Sequence, residues 1–237
     1  MSRRPLRQVF STDAGLSVLL VSLLVVLFVI FPFVPLGNLG RLLVTAGLTL
    51  VLLSGSFSFS GRPGLRRLAV ILAIFALASH WLCNVAEIHG LLIWAYVSTI
   101  LFLALTAGGV LTRVVGGDRV TPHHIQGAVA VYLMLGLIWA CAYAVVEMRQ
   151  PGAFNLPDMA EAGGVMESQQ NDLRHLVYFS FVTLTTLGYG DISPTSASAR
   201  TLVTLEALVG QLYLVILIAR LVSLEVAYSG REAPPSS

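Results

Sequence analysis

The chain has 237 residues, of which 56% are hydrophobic and only 11% are charged, and its formal net charge is +2. A soluble domain carries roughly 25% charged residues, so this composition predicts a membrane protein. It argues against a soluble enzyme, a disordered regulator and a nucleic-acid binder, because so small a positive charge attracts no polyanion.

Six apolar stretches are long enough to cross a bilayer as helices, for which about 20 residues are needed. Five of them contain no Asp, Glu or Arg, and the sixth contains only Glu206. In chain order they are residues 14–40, 42–61, 68–86, 88–112, 120–146 and 201–219. The second stretch is the weakest, because serine alternates with glycine and phenylalanine from Ser54 to Ser60.

A seventh uncharged stretch, residues 175–190, ends in Gly-Tyr-Gly and is too short to cross. Its helical part of about 11 to 13 residues would measure roughly 16 to 20 Å, against a hydrocarbon core of about 30 Å. It is therefore predicted to be a re-entrant segment that starts at Asn171 or Asp172, both good N-cap residues. Non-helical backbone at membrane depth must be enclosed by protein or line a water-filled cavity, which indicates a pore.

The arginines predict the orientation. Ten of the 14 fall on the side of the membrane that holds both termini in a six-span arrangement, and Arg41, Arg149, Arg174 and Arg200 fall on the other. Because cytoplasmic loops carry the excess of positive charge, both termini are predicted to be cytoplasmic and the re-entrant segment to enter from outside. We expect a multi-pass protein of a prokaryotic plasma (inner) membrane.

Residues 186–191 read Thr-Leu-Gly-Tyr-Gly-Asp and resemble the selectivity filter of potassium channels. The resemblance extends over residues 120–227, in the order span, half-span, filter, span. It implies an all-α membrane protein with six transmembrane helices per chain, a re-entrant pore helix and a filter loop. It also implies a homotetramer around a central pore, in a lipid membrane.

In that arrangement the filter is Thr186, Leu187, Gly188, Tyr189 and Gly190. Backbone carbonyls from four copies replace the water around K⁺. The expected ligands are the carbonyls of residues 186–189 and the Thr186 hydroxyl, and no cofactor other than the K⁺ ions is expected. Both glycines can adopt positive φ and so help to turn successive carbonyls inward. Thr185 and Asp191 are expected to support the filter, with Asp191 holding its outer end through a hydrogen bond.

The last span contains a glycine and an acid of interest. Gly210 follows Asp191 by 19 residues, where the family carries a hinge, although a close-packing glycine explains it equally well. By resemblance, Gln211, Leu214, Ile218 and Val222 face the cavity, and Ile218 and Val222 form its constriction. Glu206 is an acid inside a span, where a functional role and a structural hydrogen bond are both open.

The sequence is divided into four regions. They are a cytoplasmic segment (1–13), a peripheral four-helix domain without sensor arginines (14–118), a pore domain (119–227) and a disordered cytoplasmic tail (228–237). Within the pore domain, span five is 120–147, the outer loop 148–171, the pore helix 172–185, the filter 186–190 and span six 198–225.

The predicted function is passive, potassium-selective conduction, and no enzymatic activity is expected. A voltage sensor needs a cation at every third position of the fourth span. Residues 90–112 contain none, so weak or absent voltage gating is expected. The chain shows no soluble ligand-binding domain, and no nucleic acid is expected as a partner. The alternatives are a cation channel of relaxed selectivity, a non-conducting or modulatory subunit and, more distantly, a membrane enzyme or transporter.

Overall fold

The computed structural model describes residues 6–33, 38–57, 63–86, 90–116, 121–157 and 165–232. The helices in this part of the chain run as follows: α1 (Leu6–Val25), continued by a π-helical segment (Val26–Ile30) into α2 (Phe31–Phe33), then α3 (Asn38–Phe57), α4 (Pro63–Ala86), α5 (Gly90–Gly116), α6 (Pro122–Arg149), α7 (Val165–Leu184) and α8 (Ala197–Glu232). The π-helical segment lies just before Pro32, whose missing N–H prevents a regular hydrogen bond to the preceding turn.

Five of these helices are long and apolar enough to cross a membrane: Gly15–Phe33, Gly64–Cys83, Gly90–Gly116, Pro122–Arg149 and Ala197–Leu224. The second predicted span falls on α3, whose apolar part, Leu42–Ser56, is shorter. One of its polar side chains bonds a neighbouring helix: the Ser54 hydroxyl lies 3.1 Å from that of Ser22 on α1. The structure therefore supports five spans and leaves the sixth without confirmation.

α1 and α5 pack on α6, which begins at a well-formed cap. The Thr121 side chain accepts a hydrogen bond from the His124 N–H, and the His124 ring accepts one from the Thr121 N–H. Pro122 occupies the first helical position, where a missing N–H costs nothing. α5 lies along α6, and Gly127 of α6 leaves room for the side chains of Val110 and Val114. α1 also contacts α6, where the Ser17 hydroxyl donates to Gln126 over 2.9 Å.

Two short strands join the segment before α7 to the segment after it. β1 (Phe154–Asn155) pairs antiparallel with β2 (Ser193–Pro194). Phe154 packs against Tyr143 of α6 and Phe179 of α7, with ring centroids 5.1 and 5.7 Å away. The chain before α7 and the chain after the loop that follows it are thereby fixed to the end of α6.

The structure corrects two predicted boundaries. The helix predicted to be the pore helix is α7, and it begins at Val165, not at Asn171 or Asp172, because Met166, Glu167 and the glutamines that follow favour a helix and no breaker intervenes. The uncharged stretch therefore corresponds only to the apolar part of α7. The tail is not irregular from 228, since α8 continues to Glu232 and the first proline after it is Pro234. Residues 1–5, 158–164 and 233–237 of the predicted terminal segments and outer loop lie outside the described residues.

Candidate functional site

The loop after α7 has a backbone of alternating sign. φ is +59° at Thr186, +58° at Gly188 and +78° at Gly190, whereas Leu187 and Tyr189 between them keep ordinary negative values. The two glycines adopt this conformation without steric cost. Thr186 does not, because positive φ is a marked outlier for a β-branched residue. Such strain costs about 1–3 kcal/mol and is typical of functional loops held by their surroundings.

The N–H groups at the start of this loop point back to α7. The Thr186 N–H donates to the carbonyl of Thr183 over 2.9 Å, and those of Leu187 and Gly188 donate to the carbonyl of Val182 over 2.9 and 3.4 Å. In a trans peptide the C=O of one residue points opposite to the N–H of the next. The carbonyls of residues 185–187 therefore point away from α7.

The whole loop is exposed in a single chain. Every residue from Thr185 to Asp191 is exposed, including Leu187 and Tyr189, which are 56% and 66% exposed. Leu184, the last residue of α7, is fully buried. The chain therefore presents a row of polar backbone groups and two apolar side chains at the end of a buried helix.

The outer end of the loop is tied to α7 by one side-chain hydrogen bond. The Tyr178 hydroxyl donates to the Asp191 carboxylate over 2.7 Å, and the same carboxylate accepts from the Ile192 N–H over 3.0 Å. The tyrosine bond holds the pKa of Asp191 below its ordinary value of 3.8. Because the pKa is lowered, the contribution of this bond to stability is fully present above the ordinary pKa and is lost as the pH falls through the lowered one.

Tyr178→Phe removes this bond and leaves the ring in place. If K⁺ binds the loop, K⁺ stabilises the folded protein by mass action, and a loosened loop reduces that effect. We expect the difference between the melting temperatures in K⁺ and in Na⁺ to shrink in the variant.

Tyr213→Phe is the matched control, since its hydroxyl donates to the Ala128 carbonyl over 2.7 Å, away from the loop. It should lower both melting temperatures equally and leave their difference unchanged. An unchanged difference in Tyr178→Phe would show that the bond does not support the loop.

The inner end of α7 is held by α6 and α8. The Tyr132 hydroxyl on α6 donates to the Leu184 carbonyl over 3.0 Å, and the rings of Tyr132 and Tyr213 stack with centroids 5.9 Å apart. Gly210 of α8 lies against the same residue: a methyl group there would be 2.8 Å from Leu184 Cδ1 and 3.0 Å from its carbonyl oxygen. α8 continues as a helix through Gly210.

Gly210→Ala should therefore destabilise the protein, because the contacted oxygen belongs to the backbone and cannot rotate away. We expect a loss of about 1–3 kcal/mol. Thermal unfolding in detergent would show it as a lower melting temperature. An unchanged melting temperature with altered channel opening would favour the hinge role over close packing.

The other predicted residues of α8 form a mostly open face. Gln211, Ile218 and Val222 are exposed, and Leu214 is half-buried. Arg220 lies between Ile218 and Val222 in the chain, and it donates from Nε and Nη2 to the Val115 carbonyl of α5 over 3.3 and 3.1 Å. The C-terminal half of α8 is thereby joined to α5.

Glu206 is fully buried where α6, α7 and α8 meet. Its Oε2 accepts from the Tyr143 hydroxyl, and its Oε1 lies 2.5 Å from the Ser180 hydroxyl. Tyr143 and Ser180 are themselves completely buried. The structure thus places Glu206 behind α7, with its carboxyl group bonded to two neutral hydroxyls.

Tyr132, Tyr143, Tyr178 and Ser180 belong to no motif in the sequence that marks them as functional. A tyrosine inside an apolar run is a usable signal, since its hydroxyl needs a partner when it is buried. The partners themselves lie 13 to 63 residues away and are not visible from spacing.

Comparison with known families gives one match. A family described as an ion channel matches residues 130–226, which include most of α6, all of α7, the loop and most of α8. No curated protein and no solved structure matched the chain. The match and the five apolar helices support a multi-pass membrane protein with a general ion channel function, and they point away from an enzyme.

Proposed function

We propose that the protein is a potassium-selective channel in which four copies surround one pore. The observation that carries this proposal is the loop of residues 186–190, with positive φ at alternate residues and exposed backbone at the end of a buried helix. Potassium selectivity requires carbonyl oxygens in place of the hydration shell, and four such loops facing one axis supply them. The ligands would be the carbonyls of residues 186–189 and the Thr186 hydroxyl.

The exposure of α8 supports assembly around this loop. Only 11% of its membrane-spanning part is buried within one chain, whereas 61% of the corresponding part of α6 is buried. Polar backbone at membrane depth is tolerated only where protein or a water-filled cavity surrounds it. Further copies of the chain would cover the loop and α8 together, with Tyr189 packing against a neighbouring copy and Gln211, Leu214, Ile218 and Val222 facing the cavity.

Gating by voltage is expected to be weak or absent. The only cation of α5 is Arg113, in the last turn. Moving one charge through the membrane field supplies about 2.3 kcal/mol per 100 mV, so a helix without charges along its length responds little. The exposed Ile218 and Val222 would form an apolar constriction that closes by losing its water. We place the protein in a prokaryotic plasma membrane with both termini in the cytoplasm.

Purified protein in liposomes tests the proposal. We expect K⁺ to leave K⁺-loaded vesicles much faster than Na⁺ leaves matched Na⁺-loaded ones, and Ba²⁺ to block the K⁺ flux. Equal fluxes would favour a cation channel of relaxed selectivity. Absence of flux from correctly assembled protein would favour a non-conducting subunit or, more distantly, an enzyme or transporter.

A further inference from the structure

Ser180 has more acceptors around it than its single hydrogen can serve. Its Oγ lies 2.8 Å from the Gly136 carbonyl of α6 and 2.5 Å from Glu206 Oε1 of α8. A serine hydroxyl donates one hydrogen, and a carbonyl oxygen can only accept. If the hydrogen of Ser180 goes to Gly136, the hydrogen between Ser180 and Glu206 has to come from Glu206.

A neutral carboxylic acid satisfies every bond in this cluster. Its O–H donates to Ser180 Oγ, Ser180 donates to the Gly136 carbonyl, and Tyr143 donates to the remaining oxygen. An ionised carboxylate supplies no hydrogen, so one of the two contacts of Ser180 would be between acceptors. An unpaired charge buried among three helices is also very costly.

The cluster lies between the two ends of the helix that supports the filter. Ser180 is two residues after Tyr178, which bonds Asp191 at the outer end of the loop. It is four residues before Leu184, whose carbonyl is held by Tyr132 at the inner end. Fixing Ser180 therefore sets the position of α7 between both attachments of the loop.

We infer that Glu206 is a positioning residue of the filter, which as a neutral acid bonds Ser180 and fixes the pore helix against α8. The inference rests on the proposed potassium selectivity. It differs from a purely structural role in its consequence. Loss of folded protein lowers the amplitude of ion flux, whereas a displaced filter changes the ratio of K⁺ to Na⁺ flux in the channels that remain.

The test compares this flux ratio in liposomes for Glu206→Gln, Glu206→Leu and Ser180→Ala. Glutamine has one donor and one acceptor end, like the neutral acid, and should retain the wild-type ratio. Glu206→Leu should lower it roughly tenfold, the factor that corresponds to losing the one hydrogen bond that joins Glu206 to α7. Ser180→Ala should also lower the flux ratio, and it tests the inference if the leucine variant does not fold. Ser98→Ala is the control, because buried Ser98 bonds carbonyls of its own helix.

Two results would overturn the inference. A wild-type flux ratio in both Glu206→Leu and Ser180→Ala would exclude positioning, and a glutamine variant as damaged as the leucine variant would exclude the neutral acid. If the wild-type protein itself shows no preference for K⁺, the proposed function fails instead. The melting temperatures of the glutamine and leucine variants would then still test the neutral acid, with glutamine expected to be the more stable.

Discussion

Gly188→Ala is expected to abolish the preference for K⁺ over Na⁺. Gly188 has φ of +58°, which costs an alanine about 1–2 kcal/mol, or roughly 4–8 kcal/mol over four copies. We expect the chain to relieve this strain by returning φ to negative values, and in the proposed tetramer this rotation would turn a ligand carbonyl away from the axis. Liposome fluxes of the two ions measure the effect.

Gly152→Ala is the matched control for this substitution. Gly152 has φ of +80°, and like Gly188 it has open space where a methyl group would go. The strain is therefore similar, but it lies in the turn after α6, outside the filter. We expect this variant to keep the wild-type flux ratio. Equal loss of selectivity in both variants would show that strain anywhere in the outer region is sufficient, and would contradict a specific role for Gly188.

Gly136→Val is expected to have the largest effect on stability. A Cβ at this position of α6 would lie 2.5, 2.8 and 2.9 Å from three atoms of the Phe181 ring on α7, so the whole ring would have to move. Gly136 also accepts from Ser180, so α6 and α7 cannot separate without losing that bond. We expect a loss of about 3 kcal/mol or more, measured as a lower melting temperature and a smaller assembled fraction.

Gly108→Val is the matched control, because it makes the same substitution in a helix without the contact with Phe181. Gly108 lies within α5, and nothing is within 4 Å of the position that a Cβ would occupy. The stability of this variant should change only by the small difference in helix propensity, which favours valine over glycine. A similar loss in the two variants would mean that the approach of Phe181 to Gly136 contributes nothing to stability.

The sequence predicted the helices better than their contacts. Long apolar runs identify helices because a bilayer imposes a length, and they led to α1, α4, α5, α6 and α8. The predicted start of α7 lies several residues too late, because the first two turns, from Val165 to Asp172, are helical by propensity but are not detected by a count of uncharged residues. The end of α8 was missed for the same reason.

The sequence predicts the backbone of the loop better than the contacts that support it. Gly188 and Gly190 were expected to have positive φ because glycine is the residue that tolerates it, and the structure agrees. The positive φ of Thr186 was not expected, since it depends on the bonds that α7 makes to the loop. The partners of Glu206 depend on how three helices pack, so sequence left its two roles open.

The most direct test of the central claim is the reversal potential of the purified channel in a planar bilayer, with K⁺ on one side and Na⁺ on the other. One filter, built from the carbonyls of residues 186–189 of four copies, predicts a strongly displaced reversal potential, with the sign set by K⁺ moving down its gradient. We also expect little change in open probability with voltage, since α5 has its only cation in the last turn. A reversal potential near zero under these conditions would contradict a potassium-selective pore.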